Sequence, residues 1–275
     1  MNNPMETGHL AFQESTLTVA GRNVTLRSGG QGQPIVLFHS LLADGSSFDL
    51  IAPELAKTHR VLILNLPGFG GSDRIDGGLD AVADQCAAAI GALELPQAPI
   101  VLGNGYGGFV ALTMAIRHPG TAQRLVLADC GAAFTEPGRA AFRGMSAGAT
   151  ANGLAGIADV AMRRLFSPEY QAEHPELIQA RRARFIAVDP QTFHNACAAL
   201  AGLDLRPSLA SVKVPVLVLV GEFDEATPPA MSRELAAGLP DARLEVLAGC
   251  AHVPQLQEPG VFLQAISAFI APVEA

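Results

Sequence analysis

Three residues far apart in the chain have the types and flanking patterns for acyl-transfer chemistry, except that one of them lacks its reactive atom: Gly105, Asp224 and His252. Gly105 is the centre of Gly103-Asn104-Gly105-Tyr106-Gly107. That is the frame of the Gly-x-Ser-x-Gly corner, in which a strained strand-to-helix turn lifts a serine hydroxyl above the end of a strand. The frame is present and the hydroxyl is missing. Asp224 follows Gly221-Glu222-Phe223, and His252 follows Gly249-Cys250-Ala251, each directly after an apolar run of strand length. At these places Asp224 can accept the Nδ1 proton of His252 and fix its tautomer, leaving Nε2 to act as a base near neutral pH. His59, His118, His174 and His194 lie in connector, helix-end or inserted sequence and read as structural.

The elements that must position these residues follow from hydrophobic periodicity. Residues 16–19 and 23–27 predict an opening hairpin, and 34–38 is a continuous apolar run typical of a strand buried on both faces. Strand patterns at 61–64, 100–102, 125–127, 216–220 and 244–247 then alternate with helical patterns at 47–56, 79–93, 106–117, 230–238 and 261–270. Such alternation predicts an α/β fold, a mainly parallel sheet with helices on both faces. Between Cys130 and Val212 the strand signal stops. The sequence there is helical, punctuated by Pro137, Pro168, Pro175 and Pro190, and predicts a helical cap over 131–212 inserted into a core made of 1–130 and 213–275.

With 275 residues, 49% of them hydrophobic, the chain can bury a large core, and its formal charge of −8 disfavours nucleic acid as a partner. A small-molecule substrate is the better expectation, and a homodimer is left open. The four cysteines are scattered without metal-ligand spacing, so no metal is expected. Apolar runs fall short of the roughly 20 residues of a membrane span. Residues 1–16 are polar with no secretory pattern, which leads to the expectation of a soluble cytoplasmic protein without membrane contact. The predicted cap carries a net +1, leaving −9 on the remainder. Most of its arginines read as solvated helix faces. Arg163 and Arg164, closing a helix just before Ser167-Pro168, are the candidates to reach a substrate carboxylate.

Taken in chain order, five motifs resemble the α/β-hydrolase superfamily over nearly the whole sequence. They are His39-Ser40-Leu41, Asn65-Leu66-Pro67-Gly68-Phe69-Gly70-Gly71-Ser72, the turn around Gly105, the Asp224 loop and the His252 loop. The resemblance implies an α/β-hydrolase fold and a nucleophile position at Gly105 served by Asp224 and His252. It also implies an oxyanion hole from the backbones of Leu41 and Tyr106, and no cofactor. Ser40 stands where that superfamily usually has glycine. The predicted cap and His39-Ser40-Leu41-Leu42-Ala43-Asp44 look like those of 3-oxoadipate enol-lactonases and related ester or lactone hydrolases. Gly103-Asn104-Gly105 instead looks like the corner of carbon–carbon hydrolases acting on meta-cleavage products. Ser40, Asn104, Arg163 and Arg164 form the expected substrate-binding set. A glycine at 105 has three readings: a serine replaced so as to stop turnover, a native ligand-binding pseudoenzyme, or a site in which His252 activates water. Dehalogenase and epoxide hydrolase chemistry would want a carboxylate there.

Overall fold

The computed structural model describes residues 12–272. Residues 1–11, which carry most of the stretch read for a secretory pattern, lie outside them. Eight strands form one sheet: β1 (Gln13–Val19), β2 (Arg22–Gly29), β3 (Gln33–Phe38), β4 (His59–Leu64), β5 (Ile100–Asn104), β6 (Arg124–Ala128), β7 (Val216–Gly221) and β8 (Ala242–Leu247). Their spatial order is β1-β2-β4-β3-β5-β6-β7-β8. The hairpin β1–β2 joins β4 antiparallel, and every pairing from β4 to β8 is parallel. The strand order reverses at β3, which pairs with both β4 and β5. An open parallel sheet leaves a crevice beyond the carboxyl ends of its strands at such a point.

Helices α1 (Ala52–Leu55), α2 (Gly78–Ala92), α3 (Tyr106–Arg117), α8 (Pro229–Gly238), α9 (Pro254–Gln257) and α10 (Pro259–Ile270) accompany the strands, while α4 (Glu136–Leu165), α5 (Pro168–Glu173), α6 (Pro175–Ile186) and α7 (Pro190–Gly202) fill the stretch between β6 and β7. Alternate residues of the central strands feed two apolar layers. In β3, Ile35 and Leu37 belong to the buried apolar cluster that contains Ile51 and Phe262, while Val36 and Phe38 belong to the one that contains Phe109 and Val110 of α3. No helix of the described residues is long and apolar enough to cross a membrane.

Two expectations need correction. The single helix predicted over 47–56 is a 3₁₀ turn, Gly45–Phe48, followed by the short α1. The Asp44 carboxylate accepts from Ser46 N–H to start the turn, and Pro53, having no amide hydrogen, cannot continue an α-helical ladder through its position. His59 is not in a connector but opens β4, buried, with its Nδ1 2.8 Å from Thr58 Oγ1 and its Nε2 2.9 Å from the carbonyl of Ile270. The prolines of the insert start helices rather than only interrupting sequence, because the first turn of a helix has no use for their missing N–H. Ser167 and Asp189 cap two of these starts by accepting from Tyr170 N–H and Thr192 N–H.

The corner between β5 and α3 depends on close backbone approach. A Cβ at Gly107 would overlap the carbonyl groups of Phe38 and His39 at the end of β3, and one at Gly103 would overlap the backbone of Gly107 and Gly108. Backbone carbonyls cannot swing aside as side chains do. Gly107→Ala should therefore lower unfolding free energy in urea by about 3 kcal/mol or more. Gly260→Ala in α10, where the added methyl meets nothing within 4 Å, should change it by under about 1 kcal/mol.

Candidate active site

The ends of β3, β5, β7 and β8 bring the predicted residues together. After β3, His39 is fully buried and ties down the following loop: its Nδ1–H donates to the carbonyl of Ser40 at 2.9 Å and its Nε2 accepts from Leu66 N–H at 3.1 Å. Burial pulls its pKa down, outweighing the hydrogen bond to Ser40 and the charge of Asp44. The ring is thereby kept neutral in the tautomer these two bonds require. After β5 the chain turns through Gly105 at φ 53°, ψ −118°, the left-handed side that the corner demands, and α3 begins at Tyr106. The N–H groups of Leu41 and Tyr106 have no backbone acceptor among the described residues. Both residues line one small cavity with Ser40, Gly105, His252 and Arg164.

Asp224 and His252 form a buried pair, His252 Nδ1 donating to Asp224 Oδ2 at 2.9 Å. The second oxygen of Asp224 accepts from the N–H groups of Ala226 at 2.8 Å and Thr227 at 3.0 Å, and the Thr227 hydroxyl donates to Oδ2 at 2.6 Å. Burial alone would raise the Asp224 pKa, but the charge and hydrogen bond of His252 and the two bonds from Thr227 overcome it and hold the carboxyl at about 2. His252 Nε2 is left to face Gly105. A Cβ built on Gly105 would stand 2.8 Å from that nitrogen and 2.6 Å from Ser40 Oγ.

Other assignments come out differently. Asn104 does not reach the cavity. Its Nδ2 donates to Asp129 Oδ2 at 3.1 Å and to the carbonyl of His252 at 3.0 Å, and its Oδ1 accepts from Gln255 Nε2 at 3.0 Å. It positions the His252 loop, and the expectation that it touches substrate is withdrawn because both ends of its amide are already used. Arg163 is exposed and lines an outer groove of about 620 Å³, along with Phe166, Phe223, Glu225 and Ala251. Arg164 borders both that groove and the inner cavity, half-buried, its guanidinium 5.8 Å from the ring of Phe142 and without an ion pair among the described residues.

Sequence reading missed Asp129, Thr227 and Gln255. Asp129, directly after β6 at φ 52°, accepts from Gly221 N–H at 2.8 Å and from Asn104. Burial and the neighbouring charge of Asp224 drive its pKa well up, against the bonds from Gly221 and Asn104. Its place at the end of a strand, like that of Asp224, is the signal that could have found it. Nothing in the sequence marks Gln255. Asp129, Asp224 and His252 each offer an atom within 4.8 Å of the others, yet hydrogen bonds within the protein already use these groups. Such a set is poorly suited to a cation. The four cysteines are buried and free, with burial raising the Cys250 thiol to about 11 and the Cys197 thiol to about 12.

A profile of the alpha/beta hydrolase family matches residues 35–265. The chain is 28% identical to 2-hydroxymuconate semialdehyde hydrolase of Pseudomonas sp. (strain CF600), over all of this chain and 99% of the relative. It is 26% identical to 3-oxoadipate enol-lactonase 2 of Acinetobacter baylyi, over 91% of this chain and 95% of the relative. Among solved structures it resembles the enol-lactonase of Burkholderia xenovorans LB400, with a TM-score of 0.87 and 26% identity over 93% of this chain and 99% of that one.

The depressed pKa of Asp224 has a consequence for acid stability. Its ionised form is favoured by folding, so that contribution is full above the unfolded-state pKa near 3.9 and is lost as pH falls through about 2. Asp224→Asn lacks this titration. The stability difference between the two proteins should shrink by about 2 kcal/mol between pH 6 and pH 2 in urea unfolding.

Proposed function

We propose that this chain, which belongs to the alpha/beta hydrolase family, is a scaffold for hydrolysis of a small carboxylic ester or lactone whose activity is crippled by glycine at 105. The observation that carries this reading is the buried Asp224–His252 pair aimed at Gly105, beside two N–H groups without backbone acceptors. In this reading His252 is the base, Asp224 orients it and stabilises its imidazolium, and the N–H groups of Leu41 and Tyr106 hold the oxyanion. The part missing at residue 105 is the hydroxyl that would form the acyl intermediate.

Arg164 supports a substrate bearing a carboxylate. A half-buried guanidinium without a carboxylate partner among the described residues, at the edge of an otherwise largely apolar cavity, is well placed to donate to that group. The inner cavity measures only about 30 Å³, enough for one water, so a substrate would have to displace Phe142, Met145 or Leu200 of the insert to enter. The carbon–carbon hydrolase reading keeps the support of the Pseudomonas relative, but Asn104, the residue that suggested it, faces away from the cavity.

Gly105→Ser tests the reading. The three atoms nearest its Cβ belong to the side chains of Ser40 and His252 and none to backbone, while the left-handed φ of the corner costs about 1–3 kcal/mol in stability. Assays on aryl esters and small lactones should show hydrolysis raised by roughly 10³-fold or more, since a nucleophile and base acting together are worth up to about 10⁶-fold. A folded Gly105→Ser protein inactive across that panel would overturn the proposal. In the same background, Arg164→Leu should raise KM for a carboxylate-bearing ester by about 10- to 100-fold and leave a neutral ester of similar size nearly unchanged.

A further inference from the structure

The outer groove lies between the insert and the two loops that hold Asp224 and His252. Phe223 and Glu225 flank Asp224, Ala251 precedes His252, and the insert contributes Arg163, Arg164, Phe166 and Pro168. Both walls are tied in place. Phe223 N–H donates to the carbonyl of Cys250 at 2.8 Å, joining the two loops. On the insert, the ring of Phe166 stacks on that of Tyr170 at 5.3 Å, and the Tyr170 hydroxyl donates to the carbonyl of Leu256 at 3.1 Å. Phe223 is 59% exposed, the most exposed large apolar side chain among the described residues. Its ring offers an uncovered face beside a buried Asp–His pair, and covering that face with an apolar ligand is favourable.

The groove and the inner cavity are neighbours of unequal size. The cavity of about 30 Å³ holds one water, whereas the groove measures about 620 Å³. Arg164 borders both, and the groove residues Ala251 and Glu225 are the chain neighbours of the cavity residues His252 and Ala226. Ester chemistry decides which half of a substrate belongs to which space. The bond from the carbonyl carbon to the alkoxy oxygen breaks, and the proton on His252 Nε2 goes to that oxygen, so the alcohol half lies on the histidine side. The acyl half lies over Gly105, beside the N–H groups of Leu41 and Tyr106, which line the inner cavity.

We propose that the outer groove binds the alcohol half of the substrate, that this half is aromatic with its ring packed on Phe223, and that the acyl half is short. The proposal rests on the ester hydrolase reading above and deepens it. It makes the substrate a short-chain acyl ester of an aromatic alcohol. A small lactone has its acyl and alkoxy halves joined in one ring and would not divide between the two spaces. Arg164, at the junction, is placed to hold a carboxylate carried next to the ester bond. Phe223 is then the residue that sets specificity for the alcohol.

The test is steady-state kinetics of Gly105→Ser on three esters. Methanol and 2-phenylethanol are leaving groups of similar basicity, so methyl acetate and 2-phenylethyl acetate differ chiefly in what the alcohol half can bind. The phenylethyl ester is expected to have the higher kcat/KM by about 10-fold or more, and adding Phe223→Ala should shrink that ratio by about 10-fold. 2-Phenylethyl hexanoate should be slower than the acetate by about 10-fold, because the longer acyl chain overfills the inner cavity. Crystals of the unchanged chain soaked in 2-phenylethyl acetate should show the ring against Phe223. The proposal is overturned, and the hydrolase reading stands, if Gly105→Ser hydrolyses esters but takes methyl acetate equally well, prefers the hexanoate, or keeps its ratio when Phe223→Ala is added. A soaked ring lying anywhere but the groove overturns it as well. If Gly105→Ser hydrolyses none of the three esters or any other, both fall.

Discussion

Everything at the site depends on how closely the start of α3 approaches the end of β3. Gly107 lies against the carbonyls of Phe38 and His39 with no room for a Cβ, and Gly103 lies equally close to the backbone of Gly107 and Gly108. That contact sets the first N–H of α3 and the loop after β3 on either side of one small space. A helix start has N–H groups with no intrahelical partner, and burying them beside a cavity is tolerable only where a ligand or water can accept from them. The glycine frame of the corner therefore determines the binding geometry even though Gly105 itself has no functional group.

A second layer of polar groups holds the histidine loop against that space. Asn104, Asp129 and Gln255 connect the end of β5, the end of β6 and the start of α9 to the carbonyl of His252, while Asp129 also receives Gly221 N–H from the end of β7. Buried polar networks are favourable only when their members are satisfied, and here the Asp129 carboxyl and the Asn104 amide are fully used while Gln255 Oε1 has no partner among the described residues. Burial and the charge of Asp224 push the Asp129 pKa well up, which disfavours two like charges in the same dry region.

Residues of α4 and α7 close over the inner cavity. Arg184 contacts Asp44 at 3.3 Å and Arg181 approaches it at 3.8 Å, joining α6 to the loop that carries Ser40 and Leu41. Arg181 is 8% exposed, and its Nε and Nη1 have no hydrogen-bond acceptor among the described residues, so this contact is held at some cost. The packing that closes the inner cavity to about 30 Å³ is thus linked to the same loop that carries Ser40 and Leu41.

The sequence by itself determined the sheet, its order of strands and helices, and the identities of Asp224 and His252. Period-2 and period-3.6 patterns are local, and glycine- and proline-marked loops record sharp turns directly. It also showed the absence of a side chain at 105 and the unusual serine at 40. It could not show that Asn104 turns inward to Asp129 and the His252 carbonyl, that Arg164 and not Arg163 reaches the inner cavity, or that Asp129 and Gln255 belong to the site. Those facts depend on which strand ends become neighbours and on the rotation of α4 about its axis, contacts between residues as many as 151 positions apart that no local pattern encodes.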